Sequence, residues 1–93
     1  MNNPKIIFIR KKLDIIDLKL LTLIKKRTNL VNTIIKLKKN RNEIVDRKRI
    51  NFILKKIKLK SLKLKIDPLI TVSIWKEMIK SFIKYEYKNF KKK

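Results

Sequence analysis

Eight apolar residues, Ile9, Leu13, Ile16, Leu20, Leu23, Leu30, Ile34 and Leu37, recur at steps of three and four with one interruption. That spacing is the seam of an amphipathic helix. From Pro4 to about Lys39 such a helix runs roughly 50 Å at about 1.5 Å per residue. A single compact chain of 93 residues is only about 30 Å across. The helix outgrows any monomer its own chain could build, and its seam would be bare. Two copies with intertwined long helices remove the conflict, so the sequence predicts an all-α homodimer.

The interruption is as informative as the rhythm. Between Leu23 and Leu30, where an apolar residue is due, stands Arg27. Burying an unpaired guanidinium is costly, and no acid lies one turn away on that face. The missing partner is read as a ligand. Lys38 follows within about 20° of the same azimuth, with Val31 and Ile34 filling the stripe between them. Two cations along a partly apolar wall describe an anion pocket. Arg10 lies about 100° away around the helix and is assigned to another task, such as reaching a neighbouring subunit. Asp14 and Asp17 flank the seam, and Asp17 is expected to pair with a nearby Lys or Arg.

The rest of the chain supplies two shorter helices. Asn3-Pro4 is a helix start, because Asn caps and proline has no N–H to lose in the first turn. The polar run from Lys39 to Glu43 ends the first helix at about residue 39. Asp46 caps a second helix over about 46–60, with Ile50, Ile53, Leu54 and Ile57 on one face. The stretch IKLKSLKLKI, residues 57–66, alternates with period two. It is read as a fraying helix end and a connection, because a lone strand has no partner. Asp67-Pro68 opens a third helix over about 68–90, with Leu69, Val72, Ile74, Trp75, Met78, Ile79, Phe82 and Ile83 as its apolar positions. It runs into a basic tail, NFKKK, expected to fray. No internal repeat or linker divides the chain, so residues 1–93 read as one domain.

Composition removes most chemistries. Cysteine and histidine are absent, so disulfides, thiol catalysis and the commonest general base are excluded. The few carboxylates show no metal-ligand spacing, and no glycine is present to form a phosphate-binding loop. Neither a metal nor a cofactor is expected. No apolar run approaches the roughly 20 residues of a membrane span, and the N-terminus lacks the apolar core of a signal peptide. A cytoplasmic protein is expected. The 28 Lys and Arg against 7 Asp and Glu raise a nucleic acid or an anionic membrane as partner. The cations are spread along every segment rather than gathered in a block. The wealth of Lys, Ile and Asn also follows from AT-rich codons.

Read together, Arg10, Asp17, Arg27, Lys38, Asp46 and Arg49 resemble the motif of the all-helical chorismate mutases. The spacing R-x6-D-x9-R-x10-K holds without a gap, and D-x-x-R follows as Asp46-Arg47-Lys48-Arg49. The text LDIIDLKLLTLIKKRTNLV is similar to the family's first helix, and the likeness extends from Pro4 to about Tyr87. The resemblance implies an intertwined helical dimer that rearranges chorismate to prephenate for phenylalanine and tyrosine biosynthesis, upstream of a prephenate dehydratase or dehydrogenase. The reaction is intramolecular and needs no proton transfer, so a chain without His or Cys can perform it.

By the same resemblance, Arg27 and Arg10 grip the two carboxylates of the substrate, with Arg10 donated by the other subunit. Lys38 reaches the ether oxygen. Asp46 and Arg49 line the wall near the hydroxyl, and Ser81 meets the ring carboxylate. Two positions depart from the family. Ile50 stands where a glutamate usually holds the hydroxyl, and Tyr85 stands where a glutamine or sometimes a glutamate faces the ether oxygen. A phenol can donate one hydrogen bond there. Two other readings stay open at this point: a basic helical nucleic-acid-binding protein, and a related isochorismate-pyruvate lyase. Nucleic-acid binding has no need of Arg27 inside an apolar seam.

Overall fold

The computed structural model describes residues 3–91. They form three α-helices: α1 from Pro4 to Leu37, α2 from Arg47 to Lys63 and α3 from Pro68 to Asn89, with a 3-10 turn at Arg41–Glu43 between α1 and α2. The all-α architecture is the one the periodicity predicts. Two compact units divide the chain, residues 1–32 and 33–93.

The first unit is α1 up to Asn32. Asn3 opens it, its Oδ1 accepting the Lys5 N–H at 2.9 Å. Thr22 and Thr28 stay inside the helix by donating their hydroxyls to the carbonyls of Leu18 and Ile24, the usual way a threonine satisfies itself there. Lys12 lies 4.8 Å over the Phe8 ring. The seam is open: Ile9, Leu13, Ile16, Leu20 and Leu23 are each at least half exposed. Asp17 makes no ion pair among the described residues, contrary to the expectation from sequence.

The second unit holds the last turn of α1, the connection and the α2–α3 pair. α1 ends at Leu37, two residues short of the predicted Lys39. The reason lies in Glu43, whose Oε2 accepts the N–H groups of Lys39 and Asn40 at 2.6 and 2.7 Å. Those donors are claimed by a side chain and leave the helix. Both α2 and α3 start on the predicted acids. Asp46 Oδ1 accepts from Arg49 N at 3.0 Å and Asp67 Oδ1 from Leu69 N at 2.9 Å.

α2 packs against α3. On α2 the enclosed positions are Ile50, Ile53, Leu54, Ile57 and Ser61; on α3 they include Val72, Trp75, Ile79, Phe82 and Glu86, and Phe90 just past its end is enclosed as well. The end of α2 does not fray at residue 60 as the alternating text implies. It continues to Lys63 because Ser61, facing α3, is buried and pairs with Thr71 through their hydroxyls at 2.6 Å. The helix then closes with the Ile66 N–H on the Ser61 carbonyl and the Lys65 N–H on that of Leu62. This Schellman closure requires a left-handed residue. In a chain without glycine Lys65 takes it, at φ 58°. Leu69 and Ile74, read as apolar positions of α3, are exposed, whereas Phe90 in the supposedly fraying tail is buried. Lys92 and Lys93 lie outside the described residues.

Candidate functional site

The connection after α1 builds a partly enclosed polar cluster with the end of α3. Glu43 locks its start through the two N–H bonds just described. Those N–H groups, Asn40 first and then Lys39, favour the charged carboxylate and hold its pKa below the ordinary 4.5. Arg41 stacks its guanidinium over the Tyr87 ring of α3 at 5.2 Å. Ile44, only 3% exposed, anchors the middle of the segment.

Around that anchor Lys38 is fixed at both sides. Its Nζ donates to Glu86 Oε1 at 2.9 Å and to the Ile44 carbonyl at 3.4 Å. The side chains of Lys38 and Glu86 are 19% and 11% exposed, so removing one partner would strand the other's charge away from water. Beside it opens a shallow depression of ≈ 520 Å³ lined by Lys38, Glu43, Val45, Asp46, Arg47 and Lys48. It offers cations and hydrogen-bonding groups without a Cys or His nucleophile. Such a surface can hold and orient an anion and stabilise developing negative charge.

The predicted residues distribute unevenly. Lys38 and Asp46 come together at this depression. Asp46 spends one oxygen capping α2. Arg49 is exposed and lies 5.5 Å over the Phe52 ring, and Ile50 is half-buried. Ser81 is exposed on α3. Tyr85 is half-buried, its ring edge-on to Phe82 with centroids 6.3 Å apart. The α3 residue bonded to Lys38 is its neighbour, Glu86. Arg27 and Arg10 lie on the first unit. Arg27 is half-buried with its Nε shut off from solvent, whereas Arg10 is exposed. No group of acids, histidines or cysteines among the described residues could hold a metal ion.

Glu86 is the residue that the sequence reading passed over. Its signal was present. It falls four residues after Phe82, seven after Ile79 and four before Phe90, on the apolar seam of α3. The test that singled out Arg27 on α1, a charge where the rhythm demands a hydrocarbon, singles out Glu86 on α3.

The chain matches the chorismate mutase type II family over residues 9–87. No curated protein and no solved structure matches significantly.

Proposed function

The chain belongs to the chorismate mutase type II family, and from that membership we propose how its own residues carry out the rearrangement of chorismate to prephenate. The enzyme is an isomerase of aromatic amino-acid biosynthesis. Its substrate is a small dianion that must be held in the compact conformer in which the reacting carbons meet. Arg27 and Arg10 grip the two carboxylates with their planar forks, Arg10 coming from the second subunit. Lys38 donates to the ether oxygen as the C–O bond breaks and negative charge gathers there. Asp46 and Arg49 face the ring hydroxyl, Ile50 closes that wall without a hydrogen bond of its own, and Ser81 meets the ring carboxylate.

The observation that carries this reading is the half-buried ammonium of Lys38, fixed beside the Asp46 depression by Glu86 and the Ile44 carbonyl. The same ion pair brings in a second residue of α3. Glu86 holds Lys38 beside the ether oxygen, and because a carboxylate there opposes the developing charge, its contribution is to position Lys38. Tyr85 faces the same oxygen with its phenol.

The active form is a homodimer. Within the chain the only buried apolar residues among those described are Ile35, Ile44 and Phe90. A domain of this size normally buries most of its apolar surface, and a second copy laid along the seam of α1 supplies what is missing. Both units then serve one domain. No helix among the described residues is long and apolar enough to cross a membrane, and we place the enzyme in the cytoplasm, supplying a prephenate dehydratase or dehydrogenase. The direct test is to mix the purified chain with chorismate and follow its loss together with the appearance of prephenate. No turnover by a folded dimer would overturn the reading. Salt-sensitive capture of random DNA in its place would favour nucleic-acid binding.

A further inference from the structure

α2 has a second face that the α2–α3 packing does not use. Phe52 and Leu59 lie on it, 55% and 53% exposed, although both are large and apolar. With Lys55, Lys56, Lys60 and Lys63 they line an open groove of ≈ 430 Å³. The residues fall into two successive helical diamonds, 52-55-56-59 and 56-59-60-63. Each diamond has the i, i+3, i+4, i+7 outline of the hole that receives one side chain of a facing helix. The floor is hydrocarbon and ring. The rim is entirely cationic, because α2 carries no Asp or Glu from end to end. Arg49 and Lys56 hold their charges 5.5 and 5.9 Å from the Phe52 ring and keep positive charge over that end of the groove.

We propose that this face docks an acidic amphipathic helix of another protein. Three features select that occupant. The groove is concave and built to take individual side chains, which a lipid surface does not present. Its floor offers apolar contact along about two helical turns with one aromatic, whereas a single-stranded nucleic acid needs successive stacking platforms. A second copy docking through this same face is the wrong partner, because α2 carries no Asp or Glu and cationic rims would face cationic rims. A helix with Leu or Phe on its seam and Glu or Asp flanking it satisfies floor and rim together. The flanking pairs set orientation and the rate of encounter, and the seam supplies the hold.

The probe is a fluorescent synthetic peptide of about three heptads with a Leu seam flanked by Glu. Its control has the same composition with the seam scrambled. Fluorescence anisotropy is read on the full chain. We expect the seam peptide to bind at least about tenfold more tightly than the control. Leu59→Asp and Lys56→Glu should each weaken it at least about tenfold while leaving chorismate turnover and the sedimentation coefficient unchanged. Equal binding of seam and scrambled peptides would overturn the proposal, leaving charge attraction alone. So would tighter binding of phosphatidylglycerol vesicles or single-stranded RNA that Leu59→Asp abolishes, which would reassign the face. A fall in oligomeric state in Leu59→Asp would likewise reassign it, to a contact between copies.

Discussion

The first unit of the chain and the α2–α3 pair carry the same kind of hydrophobic text and reach opposite outcomes. Along α1 the seam residues from Ile9 to Leu23 stand open to solvent. On α2 and α3 the corresponding positions, Ile53, Ile57, Val72, Ile79 and Phe82 among them, are at least half enclosed. Helical periodicity states that a face must be covered and is silent on what covers it. The two shorter helices find each other within one chain. The long one carries more seam than its own chain encloses.

The same comparison holds for charge. Each region places one ion where its rhythm calls for a hydrocarbon, Arg27 on α1 and Glu86 on α3. Glu86 meets Lys38; Arg27, in the proposed reading, meets the substrate.

The strongest way to break this contrast is to charge the open seam. Leu20→Asp should dissociate the proposed homodimer and cost several kcal/mol, since in that assembly each copy would bury a carboxylate in the shared seam. Sedimentation equilibrium and chemical denaturation would show it. A Leu20→Asp chain that remains dimeric and equally stable would mean that this face covers nothing.

Next come the two cations. Arg27→Ala and Lys38→Ala should each lower kcat/KM at least about a hundredfold, from roughly 3 kcal/mol of transition-state stabilisation. Near wild-type turnover in Arg27→Ala would remove Arg27 from the proposed site.

Glu86→Gln sharpens the second half of the contrast. It keeps a hydrogen-bonding group beside Lys38 and removes a negative charge from beside the proposed position of the ether oxygen. We expect kcat/KM to rise about tenfold, or roughly 1.4 kcal/mol, with some loss of thermal stability as the half-buried ion pair disappears. A fall in kcat/KM at unchanged fold would mean that Glu86 aids the reaction as a carboxyl group.

A smaller effect tests the join between α2 and α3. Lys65→Gly should stabilise the protein by about 1 kcal/mol, because glycine takes the left-handed conformation without the Cβ clash that lysine accepts. A denaturant midpoint that does not rise would show that the αL residue is not under strain.

The smallest effect concerns the segment that carries Lys38. Glu43 has a lowered folded pKa. Its contribution is therefore complete above the unfolded value of about 4.5 and fades as pH falls through the lower folded value. The protection factors of the Lys39 and Asn40 amides, exchange rates corrected for the intrinsic pH dependence, should fall in that acidic window and stay constant above it. Glu43→Gln should flatten the profile.

The sequence by itself determined what depends on neighbours along the chain. Asn3, Asp46 and Asp67 cap helices because a side chain two or three residues away from an orphan N–H is held there by covalent geometry. The seams of α1 and α3 follow from the helical repeat, and Arg27 could be singled out because a cation in a hydrocarbon row is a local contradiction. The family motif was legible for the same reason, as its residues sit at fixed helical steps. Tertiary structure decided the contacts that join distant positions. It paired Ser61 with Thr71 and so carried α2 past the alternating text. It put strain on Lys65, exposed Leu69 and buried Phe90. It also gave Lys38 a partner in Glu86, the residue next to Tyr85. Adjacent residues on a helix differ by about 100° in direction, and only the packing of α3 decides which of the two faces the lysine.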